Sequence, residues 1–224
     1  SLDVFRGMTM FLLIAEAAGF HHSFYELVKD TPIISSIGKQ LLHHPWHGFR
    51  FWDLIQPFFM FIVGVAMPFS IGKRLKTGNR KAVTRHILQR CFLLFAFGVL
   101  LHCVYSHALV WELWNVLVQL AFTILIAYAI MNLSNRNQLI ISLALLALTE
   151  LLYRFYDPVT PFNNGASFGS FMDRILMGKI NGDGWVTINF IPTAAHTIWG
   201  VVCGRLLLNK SESSQKLKAF VLWG

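Results

Sequence analysis

Long apolar runs recur along this chain, and they constrain its fold more than any other feature. A helix needs about 20 predominantly apolar residues to cross a bilayer. Runs of that kind cover Val4–Phe20, Asp53–Gly72, Ile87–Tyr105, Leu113–Met131, Gln138–Tyr153 and Val186–Leu208, and another opens at Leu217. Helices are the natural reading, because a segment in lipid must satisfy its own backbone hydrogen bonds. The expected fold is therefore all-α, a polytopic transmembrane helical bundle of about six spans plus the start of a seventh, with residues 1–224 forming a single membrane domain. Charged residues are only 13% of the chain, about half the usual share of a soluble domain. Twenty Phe and seven Trp suit lipid contact rather than a wet surface. The chain opens at Ser1 without a signal-like segment and closes on LKAFVLWG, which reads as the first turns of a further helix. A portion of a longer protein is expected. No internal repeat of the kind found in many secondary transporters is visible.

A net charge of +8 raises the question of nucleic acid. The basic residues sit at the ends of apolar runs and form no continuous face, so nucleic acid is excluded as a partner and the bilayer takes its place. Cys91, Cys103 and Cys203 lie inside apolar runs with no metal or redox spacing, and read as small core residues.

Orientation follows from Lys and Arg in the short loops. Thirteen of the nineteen fall on one side: Arg6, seven between Lys73 and Arg90, Arg136, and Arg205, Lys210, Lys216 and Lys218. That side is expected to be cytoplasmic, with both segment ends on it. Trp46, Trp52, Trp111, Trp114 and Trp185 mark the opposite ends of the spans, where indole prefers the interface. Of the two long outer loops, residues 21–52 carry an amphipathic stretch, PIISSIGKQLLHH, suited to the interface. Residues 154–185, rich in Gly, Asn, Asp and Pro, read as an ordered extracytoplasmic loop.

Ionisable groups inside a span cost roughly 2.5–3.5 kcal/mol each on insertion scales, so they mark cavities or partners. Glu16, Asp53, Glu150 and His196 occur at depths that suit the outer half of a bundle, with Thr187 and Asn189 above His196. The cluster HHPWHG is the most chemical feature. His43, His44 and His47 precede the second span, and Asp53 follows. Imidazole suits proton transfer near neutral pH, and a carboxylate beside it fixes its tautomer. His43 and His47 are four apart, as two metal ligands on a helix would be, but Pro45 interrupts the helix and no HExxH is present, so no metal is expected.

The segments SLDVFRGMTM, WHGFRFWDLIQPFFMFIVGVAM and NFIPTAAHTIWGVVCGRLL, in that order, resemble the catalytic region of the heparan-alpha-glucosaminide N-acetyltransferase family. They are more similar still to its bacterial relatives, some of which are named N-acetylglucosamine transporters. The resemblance implies transmembrane acyl transfer, with acetyl-CoA used from the cytosolic side and the acetyl group passed to an amino sugar or other glycan acceptor on the far side. It also implies an enzyme of the bacterial inner membrane, whose N-terminal catalytic portion this would be. The family's catalytic histidine corresponds to His43, three residues before Trp46, and the carboxylate of its DL pair to Asp53. His43 would act as nucleophile, through an acetyl-imidazole, or as general base on the acceptor. Arg6, Lys73, Arg74 and Arg90 are the candidates for the phosphates of CoA. Gln119 is the nearest polar match to the family's GVLQR-like segment, which here reads NVLVQLA. Glu16, Trp46, His47, Asn189 and His196 are the candidate acceptor-binding residues. Glu16 lies in AEAAGFHH, where animal members carry an Asn-containing, Gly-rich segment, and His196 replaces a smaller residue, so heparan specificity does not carry over. A sugar transporter needing no acetyl-CoA is the alternative, with Glu16, His196 and aromatic residues lining its path. A structural subunit, in which the histidine cluster is dispensable, is a third reading, and a homo-oligomer is compatible with all three. The GxxxG at Gly200–Gly204 suits close helix packing under each of them.

Overall fold

A computed structural model describes residues 2–77, 79–209 and 213–223. Among the described residues every regular element is helical and no strand occurs. The helices are α1 (Leu2–Ala17), α2 (Phe20–Val28), α3 (Pro32–Gln40), α4 (Ile55–Thr77), α5 (Arg80–Tyr105), α6 (Val116–Ile130), α7 (Asn135–Tyr156), α8 (Phe168–Met177), α9 (Phe190–Leu208) and α10 (Ser213–Trp223). Short 3-10 turns at Phe51–Leu54 and Thr187–Asn189 lead into α4 and α9. The all-α membrane fold read from the sequence is borne out.

Span number is where structure and sequence differ. Among the described residues four segments are both long and apolar enough to cross a membrane: Phe51–Gly72, Arg80–Tyr105, Asn135–Tyr156 and Thr187–Leu208. The other two expected spans are shorter as helices, at 16 residues for α1 and 15 for α6, or about 22–24 Å at 1.5 Å per residue. The apolar run from Val4 does not stay helical to Phe20. Gly19 adopts φ +75° and turns the chain into α2, a conformation that costs glycine little. The expected span from Leu113 opens late because Asn115 caps α6: its side chain accepts from the Val118 N–H at 3.0 Å and donates to the Gly98 carbonyl at 3.0 Å.

The chain divides into two compact units, Ser1–Ile62 and Val63–Gly224. In the first, α1, α2 and α3 gather with the 3-10 turn and the opening turns of α4. Phe5 and Phe58 pack edge to face at 5.1 Å. The helix α3 starts with Pro32 at its first turn, where a missing N–H costs nothing. It buries Ser35 and Gly38 and exposes Ile33 and Ile37, the pattern of a helix lying along an interface.

In the second unit α9 is central. Ala194, Ala195, Ile198 and Val201 are fully buried, whereas α5 and α7 present Phe92, Phe97, Val104, Leu143, Leu151 and Phe155 outward as a lipid-facing surface. The helices α4 and α9 approach closely through glycine. A Cβ on Gly64 would lie 2.0 Å from the Thr197 carbonyl oxygen, and one on Gly204 2.4 Å from the Val65 carbonyl oxygen. The GxxxG pair thus packs on α4. Trp199 donates its indole N–H to Ser142 at 2.9 Å, tying α9 to α7. Arg205 donates to the Leu133 carbonyl at 2.7 Å and to Asn135 at 3.0 Å, closing the α6–α7 turn.

The 154–185 segment is ordered around α8. Ser167 caps its start and Gly178, at φ +72°, its end. Asp173 of α8 is fully buried, and its carboxylate accepts from the Trp114 indole at 2.7 Å and the Thr187 N–H at 3.0 Å.

Candidate active site

The histidine cluster belongs to the first unit, in the non-helical segment 41–50 between α3 and the 3-10 turn. Pro45 prevents a continuous helix there. Gly48 has φ +153°, and a Cβ on it would fall 2.3 Å from the His44 ring. The glycine of WHG is thus required for the ring to pack on the backbone. The segment is tied down at its far end, where Gln40 accepts the Phe51 N–H at 3.0 Å.

The structure brings His43 and Asp53 together. His43 Nδ1 lies 2.9 Å from Asp53 Oδ1. The other carboxylate oxygen accepts the Arg50 N–H at 2.8 Å, and the Arg50 guanidinium donates to the His43 carbonyl at 2.7 Å. One carboxylate thus holds both the imidazole and the start of the 3-10 turn. With Asp53 ionised, the ring proton is drawn to Nδ1, and the lone pair then sits on Nε2. That nitrogen faces Glu16, with Oε1 at 3.9 Å. Glu16 is itself positioned by Trp52, whose indole N–H donates to Oε1 at 2.8 Å. Glu16 and His43 are both accessible, with side-chain exposures of 42% and 54%.

Two further residues complete the cluster. Trp52 is buried, and the edge of the His21 ring meets it at 4.3 Å. His21 is also buried, and its Nδ1 lacks a hydrogen-bond partner. Burial pushes the His21 imidazole below its usual value, with Glu16 acting in the opposite direction, so it is neutral at physiological pH. His21 and Arg50 escaped the sequence reading. The signal for Arg50 was its spacing of three from Asp53, the offset of a capping box. The signal for His21 was a histidine doublet directly after an apolar run.

The remaining candidates fall elsewhere. Trp46 and His47 are exposed, with their rings edge to face at 6.4 Å. Arg6 pairs with Asp3 on α1 at 3.4 Å. The Lys73 side chain lies outside the described residues. Arg74 and Arg90 are brought together in the second unit, where with Ser70, His86 and apolar side chains of α4, α5 and α6 they line an enclosed cavity of about 80 Å³. That volume matches two or three waters, so it suits one small polar group and not a nucleotide. An open groove of about 700 Å³ runs along the start of α5, past Arg80, Lys81, Thr84 and Arg85. Gln119 is buried in α6. Asn189 shares an open groove of about 580 Å³ with Glu150, Tyr153 and Phe162. His196 lies mid-α9, its ring edge to face with Trp199 at 5.4 Å, and is not among the residues lining that groove.

A polar network missed by the sequence reading joins α5, the loop between α5 and α6, and the segment that follows α8. Glu112 accepts from His102 at 2.6 Å and from Lys179, which also lies over the Trp114 ring at 5.8 Å. Burial raises the Glu112 carboxyl, but the bonds from Lys179 and His102 outweigh it and hold the group below its usual value. Among the described residues no three His, Cys, Asp or Glu side chains converge as metal ligands.

The sequence model of the family described as heparan-alpha-glucosaminide N-acetyltransferase, catalytic, matches residues 1–222, essentially the whole chain. No curated protein matched it.

Proposed function

Because this chain belongs to the heparan-alpha-glucosaminide N-acetyltransferase catalytic family, we propose that it carries an acetyl group from cytosolic acetyl-CoA to an amino sugar or other glycan acceptor on the extracytoplasmic side, with His43 as the reacting imidazole. Acetyl transfer across a membrane is the family's general chemistry, and acetyl-CoA its donor. The observation that carries the role of His43 is the 2.9 Å contact of its Nδ1 with Asp53. A carboxylate there stabilises the imidazolium and presents Nε2 either to attack the thioester or to take a proton from the acceptor. Asp53 acts through His43 as its positioning residue.

The donor side follows from charge. CoA carries phosphates and does not cross lipid unaided. The positive-inside reading puts Arg74, Arg90 and the Arg80–Arg85 groove on the cytoplasmic face. Guanidinium groups pair with phosphate oxygens in fork geometry. We assign the groove to the nucleotide end of CoA, and the Arg74–Arg90 cavity to a single phosphate or the head of the pantetheine arm. The Asn189 groove, with Phe162 and Tyr153 stacked at 5.1 Å, is a candidate contact for the sugar.

The test is incubation of the purified protein with labelled acetyl-CoA and a panel of amino sugars. Transfer to an amino sugar, abolished in a folded His43→Ala variant, is the expected result. Retained transfer in that variant removes His43 from the mechanism. Sugar uptake by proteoliposomes without CoA, and no acetyl transfer, would replace the enzyme by a transporter.

A further inference from the structure

The His43–Asp53 pair leaves one question of acid–base chemistry unanswered. An amino sugar reaches the site largely as an ammonium ion, which has no lone pair with which to attack. Deprotonation must precede transfer, the adduct then sheds a second proton, and the one lone pair of His43 Nε2 can take only one of the two. Glu16 is the second carboxylate beside the imidazole. Its Oε1 stands 3.9 Å from His43 Nε2, wider than a direct hydrogen bond. A nitrogen that bridges the two atoms from one side, about 2.1 Å off the line joining them, sits about 2.9 Å from each, the usual N–H···O and N–H···N distance. Glu16 is held in this place from behind, by the indole N–H of the buried Trp52 at 2.8 Å.

We propose that Glu16 receives the acceptor as its ammonium ion, between its own carboxylate and His43, and takes the first proton from it. The inference rests on the acetyltransferase reading above. In the first step an N–H bond of the ammonium breaks and the proton passes to the Glu16 carboxylate, leaving a neutral amine. The amine lone pair then attacks the acetyl carbonyl carbon. A C–N bond forms and the thioester C–S bond breaks, its electron pair leaving on the CoA sulfur, since an acetyl group on His43 Nε2 would occupy the place the ammonium takes. The second N–H proton of the adduct ends on His43 Nε2. The products are the acetamide, CoA thiolate and two protons, one on each side chain.

The charged and titratable groups around Glu16 are His21 on α2 and His43 on the segment before the 3-10 turn, with Asp53 and Arg50 behind His43. A neutral His21 adds no competing cation, so the charge of Glu16 remains available to an incoming ammonium.

The experiment measures kcat/KM for glucosamine against pH, for the full chain in detergent, in wild type, Glu16→Gln and Glu16→Asp. Gln keeps an oxygen to accept from Trp52 but cannot take a proton. Glu16→Gln is expected to lose roughly tenfold at neutral pH, the ratio of total to unprotonated amine for a group titrating near an α-amino group, and to approach wild type as pH rises past the amine's own pKa, where the acceptor arrives already deprotonated. KM for acetyl-CoA should stay at the wild-type level, and Glu16→Asp should restore part of the neutral-pH rate. A loss of equal size at every pH would mark Glu16 as a structural partner of Trp52 and overturn the proposal, as would a Glu16→Gln variant with wild-type activity. Both results leave the acetyltransferase reading standing. Wild type that acetylates no amine, at any pH, overturns that reading and this one together.

Discussion

Replacing Asp53 by asparagine keeps the shape of the side chain and changes one thing, the direction of the hydrogen bond to His43. In the native site one oxygen of Asp53 meets His43 Nδ1 at 2.9 Å and the other accepts the Arg50 N–H at 2.8 Å. In Asp53→Asn the amide oxygen is claimed by the Arg50 N–H, because an NH2 group cannot accept from it. The NH2 then faces Nδ1, which must become the acceptor, and the ring proton moves to Nε2. The imidazole presents a proton where it needs a lone pair. A hydrogen bond to a charged group is worth about 1.5–3 kcal/mol. His43 is 54% exposed, so solvent screening places the loss near the lower figure, about tenfold in rate. Tautomer inversion adds to this, and a fall in kcat/KM of between about ten- and a hundredfold is expected. The assay is acetyl transfer from labelled acetyl-CoA to glucosamine, with circular dichroism and Tm confirming that the variant folds. Wild-type kcat/KM in a folded Asp53→Asn protein would refute the orienting role of the carboxylate.

Other perturbations reach different parts of the account. Arg90→Ala should raise KM for acetyl-CoA roughly tenfold through loss of a charge-assisted contact while kcat changes little, as read from donor titrations. Gly204→Ala places a methyl group against the Val65 carbonyl oxygen and should cost about 1–3 kcal/mol, seen as a lower Tm in detergent. The Glu112 carboxyl is held below its usual 4.5 in the folded state. Its contribution to stability is therefore complete above that value and is lost as pH falls through the depressed one. Glu112→Gln should lower Tm at neutral pH, and the two Tm curves should converge in acid.

Much of this protein is legible in its sequence because the bilayer imposes a length and a composition on each span. The four long spans follow from that rule alone. Of the two that fell short, one did so through a local turn and the other through a tertiary contact. Gly19 sends the chain into α2, and Asn115 is fixed to the Gly98 carbonyl of another helix. A hydropathy pattern carries neither event. The site divides in the same way. His43 and Asp53 are ten residues apart on either side of a proline-broken segment, near enough for spacing and residue type to suggest their pairing. Glu16 reaches the same imidazole only because it bonds to Trp52, 36 residues away. The Glu112–Lys179 contact spans 67 residues and left no local signal. Arg74 and Arg90 stand out in the sequence by charge alone, and their shared cavity depends on how α4 and α5 pack.

The central claim is that acetyl crosses the membrane by way of His43. Proteoliposomes loaded with glucosamine and supplied with labelled acetyl-CoA only on the outside test it directly, since acetyl-CoA does not permeate. The account predicts labelled N-acetylglucosamine inside the vesicles with wild-type protein and none with His43→Ala. Labelled product formed only when glucosamine is on the same side as acetyl-CoA, or equal lumenal product in the variant, would contradict it.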